Sequence, residues 1–112
     1  MSSTEAAPAE PIQLADADAF DDHVAEGVVL VDFYADWCGP CQMMEPAVEA
    51  VAEDTEATVL KVDVDRHQAL AGEYGVQSIP TLLVFADGEL VDRMVGAQSE
   101  QSLADAIGEH TA

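Results

Sequence analysis

Val28-Val29-Leu30-Val31-Asp32-Phe33-Tyr34-Ala35-Asp36-Trp37-Cys38-Gly39-Pro40-Cys41 is the stretch from which the rest of the fold is read. Its first seven residues are apolar on both faces except at Asp32, the mark of a strand buried inside a sheet. The stretch then passes into a helical pattern at Cys38, and it holds both cysteines and the single tryptophan. Two thiols three positions apart at a helix start share one face and lie near enough to bond. The first helical turn has unpaired N–H groups and a partial positive charge, which favour a thiolate over a thiol. Pro40 fits there because that turn needs no donor from it. The stretch reads as a reversible dithiol with one activated sulfur.

Downstream, the helix is predicted from about Cys38 to Glu53. Met44, Val48, Val51 and Ala52 form its inner face, and Glu45, Glu49 and Glu53 its outer one. Pro46 removes a helical hydrogen bond, so a kink is expected. Thr58 to Val64 is a second buried strand, interrupted by Lys61. Asp65 is expected to cap a short helix running to Tyr74 and closed by Gly75. Ser78-Ile79-Pro80-Thr81 leads into the apolar strand Leu82 to Ala86. Asp87-Gly88 is a two-residue hairpin turn into Glu89 to Val95. Gly96 and Ala97 end the sheet, and Ser99 caps a last helix carrying Leu103, Ala106 and Ile107.

Upstream, Gly27 ends a helix capped by Asp16, whose apolar face is Ala17, Phe20 and Val24. Ile12-Gln13-Leu14 is a short edge strand. Residues 1–11 are small, polar and proline-bearing, and are expected to be a disordered tail before a domain spanning 12–112. Met43, Met44, Phe20, Phe33 and Phe85 are expected in the core, and His23, His67 and His110 facing solvent. The pattern is α/β: parallel crossovers followed by an antiparallel hairpin, giving a central mixed sheet flanked by helices on both faces. The dithiol falls at the carboxyl end of a central strand, where open α/β sheets place their sites.

At 112 residues and 49% hydrophobic, the chain can bury a core without metal or structural disulfides. One cysteine pair is too few for a secreted disulfide scaffold. The start lacks a basic, apolar leader and no apolar run reaches membrane-spanning length, so a reducing, cytoplasmic setting is expected. Twenty-three acidic residues stand against Lys61, Arg66 and Arg93, a formal net charge of -20. Such a field repels nucleic acid and anionic membranes. The acids are dispersed, which describes an acidic surface rather than a binding arm. That distribution is similar to the halophilic composition of organisms holding molar internal salt, against the plainer reading of an ordinary acidic protein.

From about Leu14 to Glu109 the chain resembles the thioredoxin family. The resemblance rests on Val31-Asp32-Phe33, Trp37-Cys38-Gly39-Pro40-Cys41, Pro46, Lys61, Ile79-Pro80-Thr81, the Asp87-Gly88 turn and Gly96, in that order. It implies a thioredoxin-like fold and a protein-disulfide reductase working by dithiol–disulfide exchange, with no bound cofactor beyond its own redox-active pair. It implies Cys38 as nucleophile and Cys41 as resolving thiol. The residues agree, since Cys38 is expected exposed at the helix cap and Cys41 more buried one turn in. Gly39-Pro40 resembles the pair of reducing members. Gln42 stands where many members have lysine, a loss that should raise the Cys38 thiolate pKa slightly.

Asp32 within an apolar run is costly to bury, and desolvation should raise its pKa. By resemblance it is the buried acid/base serving Cys41, with Lys61 as its partner; the competing reading is a structural buried ion pair, and the catalytic one is favoured because perturbed acids cluster at active sites. The resemblance further implies a cis bond before Pro80, and a docking surface of Trp37, Gly39, Pro40, Ile79, Pro80, Gly96 and Ala97. The implied partners are thioredoxin reductase and client disulfide proteins such as peroxiredoxins, methionine sulfoxide reductase and ribonucleotide reductase, met by a monomer. A zinc half-site is the competing reading of the cysteines, but the histidines lie at no ligand-like spacing. Two rival functions remain: an oxidase or isomerase on the same fold, and a non-redox binding subunit.

Overall fold

The structure is a computed structural model and describes residues 8–111. Most of the expected N-terminal tail therefore lies outside the described residues; within them, Pro8 to Pro11 have no regular structure. The elements are β1 (Ile12–Gln13), a 3-10 turn (Ala17–Ala19) running into α1 (Phe20–Val24), β2 (Val28–Tyr34), α2 (Gly39–Asp54), β3 (Thr58–Asp63), α3 (Gln68–Glu73), β4 (Thr81–Ala86), β5 (Glu89–Val95) and α4 (Glu100–Gly108).

The five strands lie in the order β1-β3-β2-β4-β5. The β1–β3 and β3–β2 pairs are parallel, while β4 runs antiparallel to both β2 and β5. The apolar run around Asp32 thus becomes the central strand, because both of its faces must be covered. Val29, Val31 and Phe33 pack on one side with Phe20, Val24, Leu70 and Phe85. Leu30 packs on the other with Met44, Val48 and Val51 of α2 and Leu103 and Ile107 of α4. By strand alternation Asp32 faces that second layer, beneath α2. The Asp87-Gly88 turn has φ of 50° and 88°, the doubly positive geometry that an Asp-Gly hairpin adopts at low cost.

The sequence pattern and the structure part at several places. Ala17 is exposed, and Leu14 rather than Ala17 joins Phe20 and Val24 in the core. Met43 is 84% exposed instead of buried. Cys41 and Met44, one turn apart, point inward, and the rotation of 100° per residue leaves Gln42 and Met43 on the solvent arc. Asp65 does not cap α3, whose N-cap is His67 without a side-chain bond. Nor does His67 face solvent alone, since its Nε2 lies 3.1 Å from the Leu14 carbonyl oxygen. Helix α2, by contrast, runs through Pro46 to Asp54 as the pattern predicts, and the turns on either side of the proline are held on the sheet by Met44, Val48 and Val51.

Candidate active site

Cys38 and Cys41 form a disulfide, with Cα atoms 5.3 Å apart. The local sequence dictates this arrangement. Cys38 keeps the extended backbone of the strand exit, with φ -89° and ψ 109°, and serves as the N-cap of α2, with Pro40 in its first turn. Its Sγ accepts the Cys41 backbone N–H at 3.2 Å and lies 3.9 Å from the Ile79 carbonyl oxygen. A donor aimed at Sγ from the first helical turn stabilises negative charge on that sulfur when the bond opens. The expected contrast in exposure is absent: each cysteine is 4% exposed, packed with Tyr34, Ala35 and Ile79. What distinguishes the two is the helix cap, where only Cys38 Sγ receives the N–H.

Beneath the helix, Asp32 is 2% exposed and its Oδ1 has no hydrogen-bond partner among the described residues. Burial pushes its carboxyl up to about 6, against a smaller downward pull from Lys61 and with a smaller upward push from Glu45. Lys61 stands opposite Asp32 in the β2–β3 register. The expected Asp32–Lys61 pairing is therefore electrostatic, not a contact: the ion pair of Lys61 Nζ goes to Glu45 Oε2 at 3.4 Å. The same nitrogen sits 4.4 Å from the centre of the Tyr34 ring, a cation–π contact. The apolar periodicity puts Glu45 on the outer row of the helix, yet it is half-buried. Its spacing of four from Cys41 is the sequence signal for it, since residues four apart share a helix face.

Asp32→Asn is expected to stabilise the oxidised protein at neutral pH. The folded carboxyl titrates at about 6 and the unfolded one near 3.8, so burial favours the protonated form. That stability is fully present below the unfolded value and is lost as pH rises through the folded one. The penalty left at pH 7 is at most about 3 kcal/mol for a shift from 3.8 to about 6. The gain of the variant should shrink towards nothing as pH falls to about 4. Urea midpoints of both proteins across this range decide it; a gain independent of pH would assign the effect to packing.

Around the disulfide, Trp37 is 70% exposed, with its indole nitrogen donating to Asp65 Oδ2 at 2.8 Å. This bond explains why Asp65 does not cap α3, and nothing in the spacing of 28 residues announces it. Gln42 Nε2 donates to the Asp36 carbonyl at 2.6 Å and closes the loop from the other side. The Ile79–Pro80 peptide bond is cis, and Ile79 meets the cysteines in one apolar cluster. Gly96, with φ of 93°, donates its N–H to the Pro80 carbonyl at 2.8 Å. That conformation suits glycine and ties the end of β5 to the loop facing Cys38. Gly39, Pro40 and Ala97 are exposed beside it. The structure thus brings Trp37, Gly39, Pro40, Ile79, Pro80, Gly96 and Ala97 to one end of the sheet around the dithiol.

A family model described as thioredoxin matches residues 11–109. Thioredoxin of Staphylococcus aureus strain Mu50 is 50% identical over 101 residues, covering 88% of this chain and 96% of the relative. Among solved structures, a mutant thioredoxin from Halobacterium salinarum NRC-1 superposes with a TM-score of 0.91 at 53% identity, over 96% of each chain. Thioredoxin of Malassezia sympodialis superposes at 0.83 with 34% identity, over 92% of this chain and 95% of that one. The pair at the start of α2 is accordingly a redox-active disulfide. The chain belongs to the thioredoxin family and is a protein-disulfide oxidoreductase.

Proposed function

We propose that this oxidoreductase runs in the reducing direction, with Cys38 attacking and Cys41 resolving. The Cys38 thiolate attacks one sulfur of a substrate disulfide, forming a mixed disulfide and releasing the other sulfur as a thiolate. The Cys41 thiolate then attacks Cys38 Sγ, releasing the second substrate thiolate and leaving the Cys38–Cys41 bond. Two electrons pass to the substrate. The observation that carries the reading is the Cys41 N–H on Cys38 Sγ, which singles out one sulfur for activation.

Asp32 is the group suited to take the Cys41 proton, because a carboxyl titrating at about 6 can exchange protons near neutral pH. Lys61 tempers that value through its charge. Trp37, Gly39, Pro40, Ile79, Pro80, Gly96 and Ala97 offer an apolar, closely approachable surface, and the Ile79 backbone can pair with an extended substrate segment. The family works through its own disulfide, with thioredoxin reductase and disulfide-bearing clients as partners. Peroxiredoxins, methionine sulfoxide reductases and ribonucleotide reductase are the clients we favour, with the cytoplasm as the setting. Among the described residues no helix is long and apolar enough to cross a membrane. The working unit is the domain from residue 12 onward, acting as a monomer.

Equilibration with glutathione tests the direction. A reducing member holds its cysteines as a disulfide until the glutathione buffer is overwhelmingly reduced, since its dithiol is the stronger donor. A pair that stays reduced in a largely oxidised buffer would make the protein an oxidant, and the oxidase reading would take over.

A further inference from the structure

The cation nearest the buried carboxyl is held elsewhere. Lys61 stands opposite Asp32 in the strand register, on the same layer of the sheet. Its ammonium nevertheless bonds Glu45 at 3.4 Å and lies over the Tyr34 ring, while Asp32 Oδ1 has no hydrogen-bond partner among the described residues. Lys61 is the chain's single lysine, so no second one can replace it. Glu45 is placed for this by two features of α2. It lies one turn after Cys41, on the arc that looks towards β2 and β3, and its side chain is 45% exposed against 16% for Lys61. The carboxylate thus draws the ammonium outward, away from the sheet and towards the solvent edge of the helix.

We propose that Glu45 is a positioning residue for the exchange reaction: by holding Lys61 at the helix edge, it keeps Asp32 free of a contact ion pair and able to take and return a proton. This rests on the reading above that Asp32 serves Cys41. An ammonium bonded directly to Asp32 would fix the carboxylate as an anion and make it a poor acid at neutral pH. With the ammonium withdrawn, only an attenuated pull remains, and burial dominates.

The charged and titratable groups near this site are few. From β3 come Lys61 and Asp63, from α2 Glu45 and, once reduced, Cys41, and from β2 Tyr34; Asp36 follows in the loop. β4 and α4 present Leu82, Val84, Leu103, Ala106 and Ile107 to the same layer, none of which titrates. Asp63 is buried, with its Oδ1 engaged by the Asp65 N–H. Glu45 is thus the carboxylate that engages the ammonium.

The test compares Glu45→Gln with Glu49→Gln, which removes the same charge one turn further along the exposed side of α2. The Asp32 carboxyl carbon is titrated by NMR in the oxidised protein, and the pH profile of mixed-disulfide resolution is measured in parallel. Glu45→Gln should lower the proton affinity of Asp32 by about tenfold, with Glu49→Gln changing it less than about twofold. Combining Glu45→Gln with Lys61→Gln should remove at least about half of the Glu45 effect, because that part acts through the ammonium. Equal shifts from Glu45→Gln and Glu49→Gln, or the full shift retained without Lys61, would overturn the proposal. A moved Asp32 midpoint with an unmoved resolution profile would uphold the hold on Lys61 and instead refute the role of Asp32 in exchange.

Discussion

Cys41→Ser, mixed with an oxidised substrate protein, is expected to accumulate as a covalent adduct through Cys38, while Cys38→Ser forms none. The asymmetry follows from the helix start. Cys38 caps α2, and its Sγ receives the Cys41 backbone N–H at 3.2 Å, a bond that the Cys41→Ser substitution leaves intact. The attacking thiolate therefore keeps its stabilisation in that variant, and the first substitution proceeds. The second cannot, because a serine hydroxyl is far less acidic and does not displace a thiolate. Turnover falls by at least about a thousandfold in either variant, but for opposite reasons. In Cys38→Ser the remaining thiol lies one turn inside the helix without that N–H, so attack itself fails. Intact mass measured after quenching in acid separates the cases. An adduct on Cys38→Ser and none on Cys41→Ser would invert the assignment, and adducts on both would mean that the helix cap does not select between the sulfurs.

What the sequence made legible was whatever rests on local pattern. The run from Val28 to Tyr34, apolar on both faces except at Asp32, reads as a central strand, and its ends coincide with β2. Ser99 caps α4 as expected, through the Ser102 N–H, and Asp16 accepts the Asp18 N–H. The dithiol at the start of α2 needed only the spacing of the cysteines and Pro40. The losses come where side chains meet across the fold. Asp65 carries the signature of a helix cap, yet the exposed indole of Trp37 takes its carboxylate. Met43 is as apolar as Met44, and only the helix phase decides which one is buried. Glu45 reads as part of a solvent row because Glu49 and Glu53 follow it at helical spacing. The partner that turns it inward, Lys61, lies on a strand and 16 residues away. Cys38, expected exposed, is covered because Ile79 arrives from the loop before β4.

Salt is expected to decide the stability of this fold. The formal net charge is -20 on a body whose radius of gyration is 13.0 Å, so nearly every carboxylate has like-charged neighbours. The few cations relieve little of it. Among the described residues the single ion pair is Lys61 with Glu45, and Arg93 spends its guanidinium on the backbone carbonyls of Tyr74 and Gly75, at 2.7 and 2.9 Å. The Debye length is about 30 Å at 0.01 M salt and about 3 Å at 1 M, so repulsion spans the whole surface in the first case and barely one side chain in the second. One like-charged pair on a helix costs a few tenths of a kcal/mol, and the sum over such a surface can rival the ~5–15 kcal/mol by which a domain is folded. The urea midpoint should therefore climb steeply from low salt to molar KCl. Concentrated salt also strengthens apolar burial, so the climb by itself does not identify the cause. A variant with about ten exposed acids changed to Asn or Gln separates the two effects, provided Asp16, Asp32, Glu45, Asp63 and Asp65 are kept for the bonds and the buried site described above, and Asp87 because its Oδ1 accepts the Gly27 N–H at 2.9 Å. Apolar strengthening acts on both proteins alike, whereas repulsion acts on the parent. The variant should be several kcal/mol more stable than the parent at 0.01 M KCl, and the difference should close towards 1 M as screening replaces neutralisation. Parallel curves, separated by the same amount at every KCl concentration, would show that the surface charge is not what salt acts upon.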